Sequence, residues 1–109
     1  MPNNHDLPKN EIDVESLVFI ERYVTNLLKL DLLAYFGNNP EIQMSAEDIA
    51  KQVGRTYKSV RSELGDLTLL ELLQKSKDNE QPTYQLTNNT VLRPKVIRFA
   101  KDHIKISTV

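Results

Sequence analysis

Between Asp13 and Phe36 apolar residues crowd at helical spacing. Leu17, Ile20, Val24, Leu27 and Leu28 form one stripe, and Val18, Phe19, Tyr23, Leu30, Leu32, Leu33, Tyr35 and Phe36 widen it beyond the face of a one-sided helix. Only Glu21, Arg22, Thr25, Asn26, Lys29 and Asp31 interrupt the run, which reads either as one long helix or as two with a bend near Asn26. Gly37-Asn38-Asn39-Pro40 stops it, as a left-handed cap followed by proline should. Ile42-Gln43-Met44 then reads as a short strand.

A second helical pattern follows. Ser45 and Asp48 have the spacing of a capping box, and Met44 and Ile49 that of a hydrophobic staple. Ile49, Ala50 and Val53 give this short helix one buried face, and Gly54 ends it. Thr56 can cap the next helix, whose Val60, Leu64 and Leu67 make a second stripe. A helix of about two turns does not persist alone; packed against its successor across a tight turn, it makes a helix-turn-helix. Strand patterning takes over from Glu71 to Ser76 and again from Thr83 to Thr87, with Tyr84 and Leu86 on one face and Lys77 to Pro82 as a polar loop. Asn88 to Arg93 connects to a last helix, which starts near Pro94, runs to about Ile104 and has Val96, Ile97, Ala100 and Ile104 on a shared side. The predicted fold class is mainly α with a small β-hairpin.

The order Ile49-Ala50, Val53-Gly54, Thr56, Val60, Leu64, Leu67 and Leu72-Leu73 resembles the winged helix-turn-helix of bacterial and archaeal transcription regulators, of the MarR and ArsR sort. The resemblance covers roughly Leu27 to Thr87. It implies a three-helix core that begins with Leu27 to Phe36, a hairpin wing, and extra N- and C-terminal helices outside that core. Three residues depart from the pattern: Arg55 stands at a usually apolar position, Gly65 sits inside the second helix, and Glu71 replaces a glycine before the exit strand.

Composition narrows the picture. At 109 residues, with a net charge of -1, the chain fits one small soluble domain over 13–109 behind a mobile tail at 1–12. The absence of cysteine excludes disulfides and thiolate metal sites. A start without a basic leader, and the lack of a long apolar run, predict a cytoplasmic protein with no membrane partner.

Charge is segregated. Lys51, Arg55, Lys58 and Arg61 fall within 51–62, a stretch that has no acidic residue. With Val60, Leu64 and Leu67 turned inward, Lys58, Arg61, Ser62 and Gly65 point outward, with Ser59 and Tyr57 at the edges. Such a face suits the major groove of double-stranded DNA, where arginine, lysine and serine bond base edges. Lys51 and Arg55 suit phosphate, and Thr56 closes the set at the cap. Arg55 has a second reading, in which its stem covers Val60 and its head stays wet. Gly65 permits close approach of a backbone, is simply tolerated, or marks a helix end. Lys75 and Lys77 would bring the wing to DNA, but Asp78 and Glu80 offset them.

Catalysis finds little support. His5 and His103 lie near opposite ends, the three glycines form no phosphate loop, and Glu47, Asp48, Asp13 and Glu15 suit helix N-termini. A metal at His103 and Asp102 would lack further ligands, so neither metal nor cofactor is expected. The reading is a sequence-specific DNA-binding transcription regulator acting on a roughly palindromic site as a homodimer; the alternative is a winged-helix protein-interaction module. The dimer face is expected at Leu17, Ile20 and Val24 together with Val96, Ile97, Ala100 and Ile104. In the competing arrangement the last helix folds back on the first within one chain. Alanine at Lys58 and Arg61 is expected to weaken DNA binding more than alanine at Lys29, chosen as a control.

Overall fold

The computed structural model describes residues 14–78 and 81–107 of the chain. The tail expected at 1–12 lies outside the described residues, as does Glu80. The elements run α1 (Val14–Tyr23), α2 (Leu27–Asn38), β1 (Met44–Ser45), α3 (Ala46–Val53), α4 (Tyr57–Leu69), β2 (Leu73–Asp78), β3 (Gln81–Leu86) and α5 (Leu92–Ser107).

The greasy N-terminal run is two helices, and Asn26 separates them. Its extended backbone leaves the helix path, and its side-chain oxygen accepts the Lys29 amide N–H at 2.8 Å, which caps α2. The local signals around the helix pair take the expected form. Ser45 Oγ accepts the Asp48 amide at 3.2 Å, Gly54 is left-handed with φ 71°, and Thr56 Oγ1 accepts the Ser59 amide at 3.3 Å. Val60, Leu64 and Leu67 are fully buried against Ile49, Ala50 and the α2 residues Leu32, Leu33 and Phe36.

The sheet differs from the expected hairpin. It has three antiparallel strands in the order β1-β3-β2, with Met44 opposite Tyr84 and Ser45 opposite Thr83. The first strand is therefore at Met44–Ser45 rather than Ile42 to Met44. The wing is also tighter than predicted, because Lys77 pairs with Pro82 and Asp78 with Gln81 where a loop was expected. Its entry begins at Leu73, two residues late. Glu71 is not a strand residue: it takes φ 67° while the Leu72 amide reaches back to the Leu67 carbonyl at 3.0 Å. That is a left-handed helix exit, and glutamate holds it where the related pattern has glycine.

The largest correction concerns α5. Val96 and Ala100, expected at a dimer face, are fully buried inside this one chain, packed on α2. A Cβ built on Gly37 of α2 would lie 2.5 Å from Ala100 Cβ and 2.6 Å from the Val96 carbonyl oxygen. The absent side chain is what lets the two helix backbones touch. Ile20, Val24 and Ile97 are partly buried against the same core, and Phe99 closes onto Phe19 of α1 with ring centroids 5.2 Å apart. The chain's own last helix thus covers part of the apolar stripe of the first helices, while Leu17 and Leu27 stay 52% and 72% exposed. The side chain of Ile104 lies outside the described residues.

Candidate nucleic-acid interface

Helix α4 divides its polar residues between two flanks. With Val60, Leu64 and Leu67 inward and a turn of about 100° per residue, Tyr57 and Arg61 fall to one side, Glu63 and Asp66 to the other, and Lys58 and Ser62 between. The structure brings Tyr57, Lys58, Arg61, Ser62 and Gly65 together as the lining of one shallow concavity. All but Gly65 are well exposed. A Cβ on Gly65 would meet nothing within 4 Å and α4 runs past it to Leu69, so this glycine neither permits a close contact within the chain nor ends the helix, contrary to two of its three expected roles.

Both acidic side chains of α4 are held away from that face. Lys29 Nζ lies 2.6 Å from Glu63 Oε1 and 3.4 Å from Asp66 Oδ2, while Asn26 Nδ2 donates to Glu63 Oε2 at 3.1 Å. The Lys29 side chain is only 8% exposed. Its hydrogen bond to Glu63 raises its pKa above the ordinary lysine value, and burial opposes that rise. Lys29 is therefore a buried brace between α2 and the middle of α4, and it cannot serve as the neutral control that its place in the sequence suggested. A signal was available, since Asn26 and Lys29, like Glu63 and Asp66, stand one helical turn apart and form complementary pairs.

A second concavity, at the start of α4, is lined by Leu28, Gly54, Arg55, Thr56 and Ser59. Here the guanidinium of Arg55 meets Asp31 of α2, Nη2 to Oδ2, at 2.6 Å. Neither expectation for Arg55 included this partner. Lys51 stands exposed in the last turn of α3, outside both concavities.

The wing strand β2 packs beside α4. Leu73, Lys75 and Lys77 of β2 lie opposite Leu86, Tyr84 and Pro82 of β3, so the two lysines share the strand face whose inner residues Leu73, Tyr84 and Leu86 are buried in the core. Lys75 Nζ is 6.0 Å from the Tyr84 ring centroid. Burial pushes the Tyr84 hydroxyl up in pKa, and the Arg61 charge, close enough to be felt there, pulls it back. Lys75 thus stands beside a buried tyrosine that also feels the Arg61 charge of α4. The side chain of Asp78 and all of Glu80, expected to offset the wing lysines, lie outside the described part.

Among the described residues no group of three or more histidine, aspartate or glutamate side chains could hold a metal ion, and no helix is long and apolar enough to cross a membrane. Solved structures share the fold. The antimony-specific transcriptional repressor AntR superposes with a TM-score of 0.67 at 17% identity, over 99% of this chain and 95% of that one. The chain has the winged-helix fold. MepR of Staphylococcus aureus, solved as a complex with DNA, has the same fold with a TM-score of 0.64 at 20% identity, over 85% of this chain and 76% of its own. A possible transcriptional regulator from Methanosarcina mazei Go1 also scores 0.64, at 16% identity, over 84% of this chain and 80% of that protein. No protein-family model matches the winged-helix chain, and no curated protein matches it.

Proposed function

We propose that this winged-helix protein binds double-stranded DNA as a transcription regulator, with α4 as its recognition helix in the major groove. The observation that carries the reading is the polarity of α4. Lys58, Arg61 and Ser62 line the outward concavity, while the helix's two carboxylates are turned to Lys29. Arginine and lysine there can donate to guanine and serine to several base edges. Lys75 and Lys77 stand on the face of the wing that Tyr84 shares, where they reach phosphate beside α4. The DNA-bound state of the structurally similar MepR supports the same use of the fold.

Two copies would present two recognition helices to a roughly palindromic site. With Val96 and Ala100 buried in the chain's own core, α1 offers a surface for pairing, where Val14, Leu17 and Val18 are 75%, 52% and 50% exposed at helical spacing. Light scattering on the purified protein is expected to give twice the 12.5 kDa chain mass, and Leu17→Asp to give the monomer.

The test of DNA binding is a titration of labelled duplex at several salt concentrations. Affinity should fall by about 0.9 log unit per phosphate contact and per decade of salt. Lys58→Ala with Arg61→Ala should weaken binding far more than Lys95→Ala, a change at an exposed position of α5. Equal and negligible binding by all three proteins at low salt would refute the reading and favour a protein-interaction module.

A further inference from the structure

The contact between Arg55 and Asp31 joins the turn of the helix-turn-helix to α2, across 24 positions of sequence. Arg55 lines the concavity at the start of α4 beside Thr56 and Ser59, and both members of the pair keep solvent access, at 41% for the arginine side chain and 33% for the aspartate. An ion pair this exposed is held weakly, because water screens it and two side chains must be ordered to form it. A phosphate oxygen offers the same guanidinium an equivalent hydrogen-bonded partner.

We propose that Asp31 is an internal competitor for the DNA backbone, occupying Arg55 in the unbound protein and yielding it to a phosphate at the start of α4. The inference rests on the DNA-binding reading above and adds a residue that sets its strength. Asp31 touches no DNA in this scheme; it acts through Arg55. Its carboxylate lowers affinity by the work of parting the pair, and it discriminates against single phosphates that cannot also engage the rest of the face.

The experiment is a double-mutant cycle of Asp31→Asn and Arg55→Gln, read by fluorescence anisotropy on a labelled random-sequence duplex at low and moderate salt. Asp31→Asn should tighten binding about two- to fivefold in the wild-type background, the span set by the worth of an exposed ion pair. In the Arg55→Gln background the same change should have no effect. A gain of equal size in both backgrounds would mean that Asp31 acts only through its general field, and the proposal fails. Unchanged or weaker binding would make the pair a strut that positions the turn, and the proposal fails again. Thermal melting of the four proteins shows that each is folded, and Asp31→Ser repeats the test if asparagine proves unstable. Should the wild type and every variant ignore duplex DNA at low salt, the DNA-binding reading itself falls and takes this proposal with it; binding without the cycle's coupling overturns only the role of Asp31.

Discussion

Replacing Lys29 with methionine keeps most of the aliphatic stem and removes the charge that braces α2 against α4. Glu63, whose side chain is 19% exposed, would then retain only the Asn26 amide, and Asp66, 55% exposed, would turn to water. Breaking a fully buried pair from one side costs about 3–5 kcal/mol. Water reaches both carboxylates here, so the expected cost is nearer to about 2 kcal/mol. In a domain of this size each kcal/mol moves the midpoint by about 4–8 °C, so Lys29→Met should melt roughly 8–16 °C lower at neutral pH. Circular dichroism melting measures this, and urea titration should show a lower midpoint with an unchanged slope. Adding Glu63→Met should recover most of the loss, because the stranded carboxylate goes with its partner. A shift under about 3 °C, set against that scale, or a double variant no better than the single one, would refute the brace.

The same brace predicts a pH dependence. The Glu63 hydrogen bond raises the Lys29 pKa in the folded state, so folding holds a proton that the unfolded chain releases near the ordinary value of 10.5. The brace's contribution is therefore whole below that value and is lost as pH rises toward the folded pKa above it. Comparing wild type with Lys29→Met cancels the parallel effect of Tyr35 and Tyr84, both pushed up by burial. Their difference in stability should be flat through neutrality and shrink above pH 10.5.

Three glycine exchanges test the backbone assignments. Gly37→Ala would drive a methyl into Ala100 and the Val96 carbonyl and should cost about 1–3 kcal/mol in urea titration; unaltered stability would mean that α5 does not dock on α2. Glu71→Gly relieves a left-handed φ of 67° and should stabilise by roughly 1 kcal/mol, with no gain on melting counting against that exit geometry. Gly65→Ala enters open space and should add about 1 kcal/mol of helix stability, an outcome that a lower midpoint would contradict. Leu64→Ala, under the middle of α4, should cost about 2–5 kcal/mol, and an unchanged midpoint would mean that the buried face is misassigned.

The helix-turn-helix was legible in the chain because its signals act over a few residues. A cap joins Ser45 to Asp48 or Thr56 to Ser59, a left-handed Gly54 ends its own helix, and the stripe of Val60, Leu64 and Leu67 follows from the helical period alone. The fold class and the outward basic face of α4 follow from the same local rules. The strand boundaries moved because Glu71 accepts a conformation that its side chain disfavours, and because Lys77 and Asp78 find cross-strand partners in Pro82 and Gln81. Only the tertiary structure decided which charges are neutralised and which apolar stripe is covered. Lys29 meets Glu63 and Arg55 meets Asp31 across 34 and 24 positions; the spacing of Asn26 with Lys29 and of Glu63 with Asp66 makes the first pair a candidate, but local pattern fixes neither approach. The fate of α5 turns on Gly37, where a missing side chain lets Val96 and Ala100 settle onto α2. Periodicity reports that such a helix has an apolar side, but whether that side meets its own chain or a second copy depends on a backbone contact between residues about sixty positions apart.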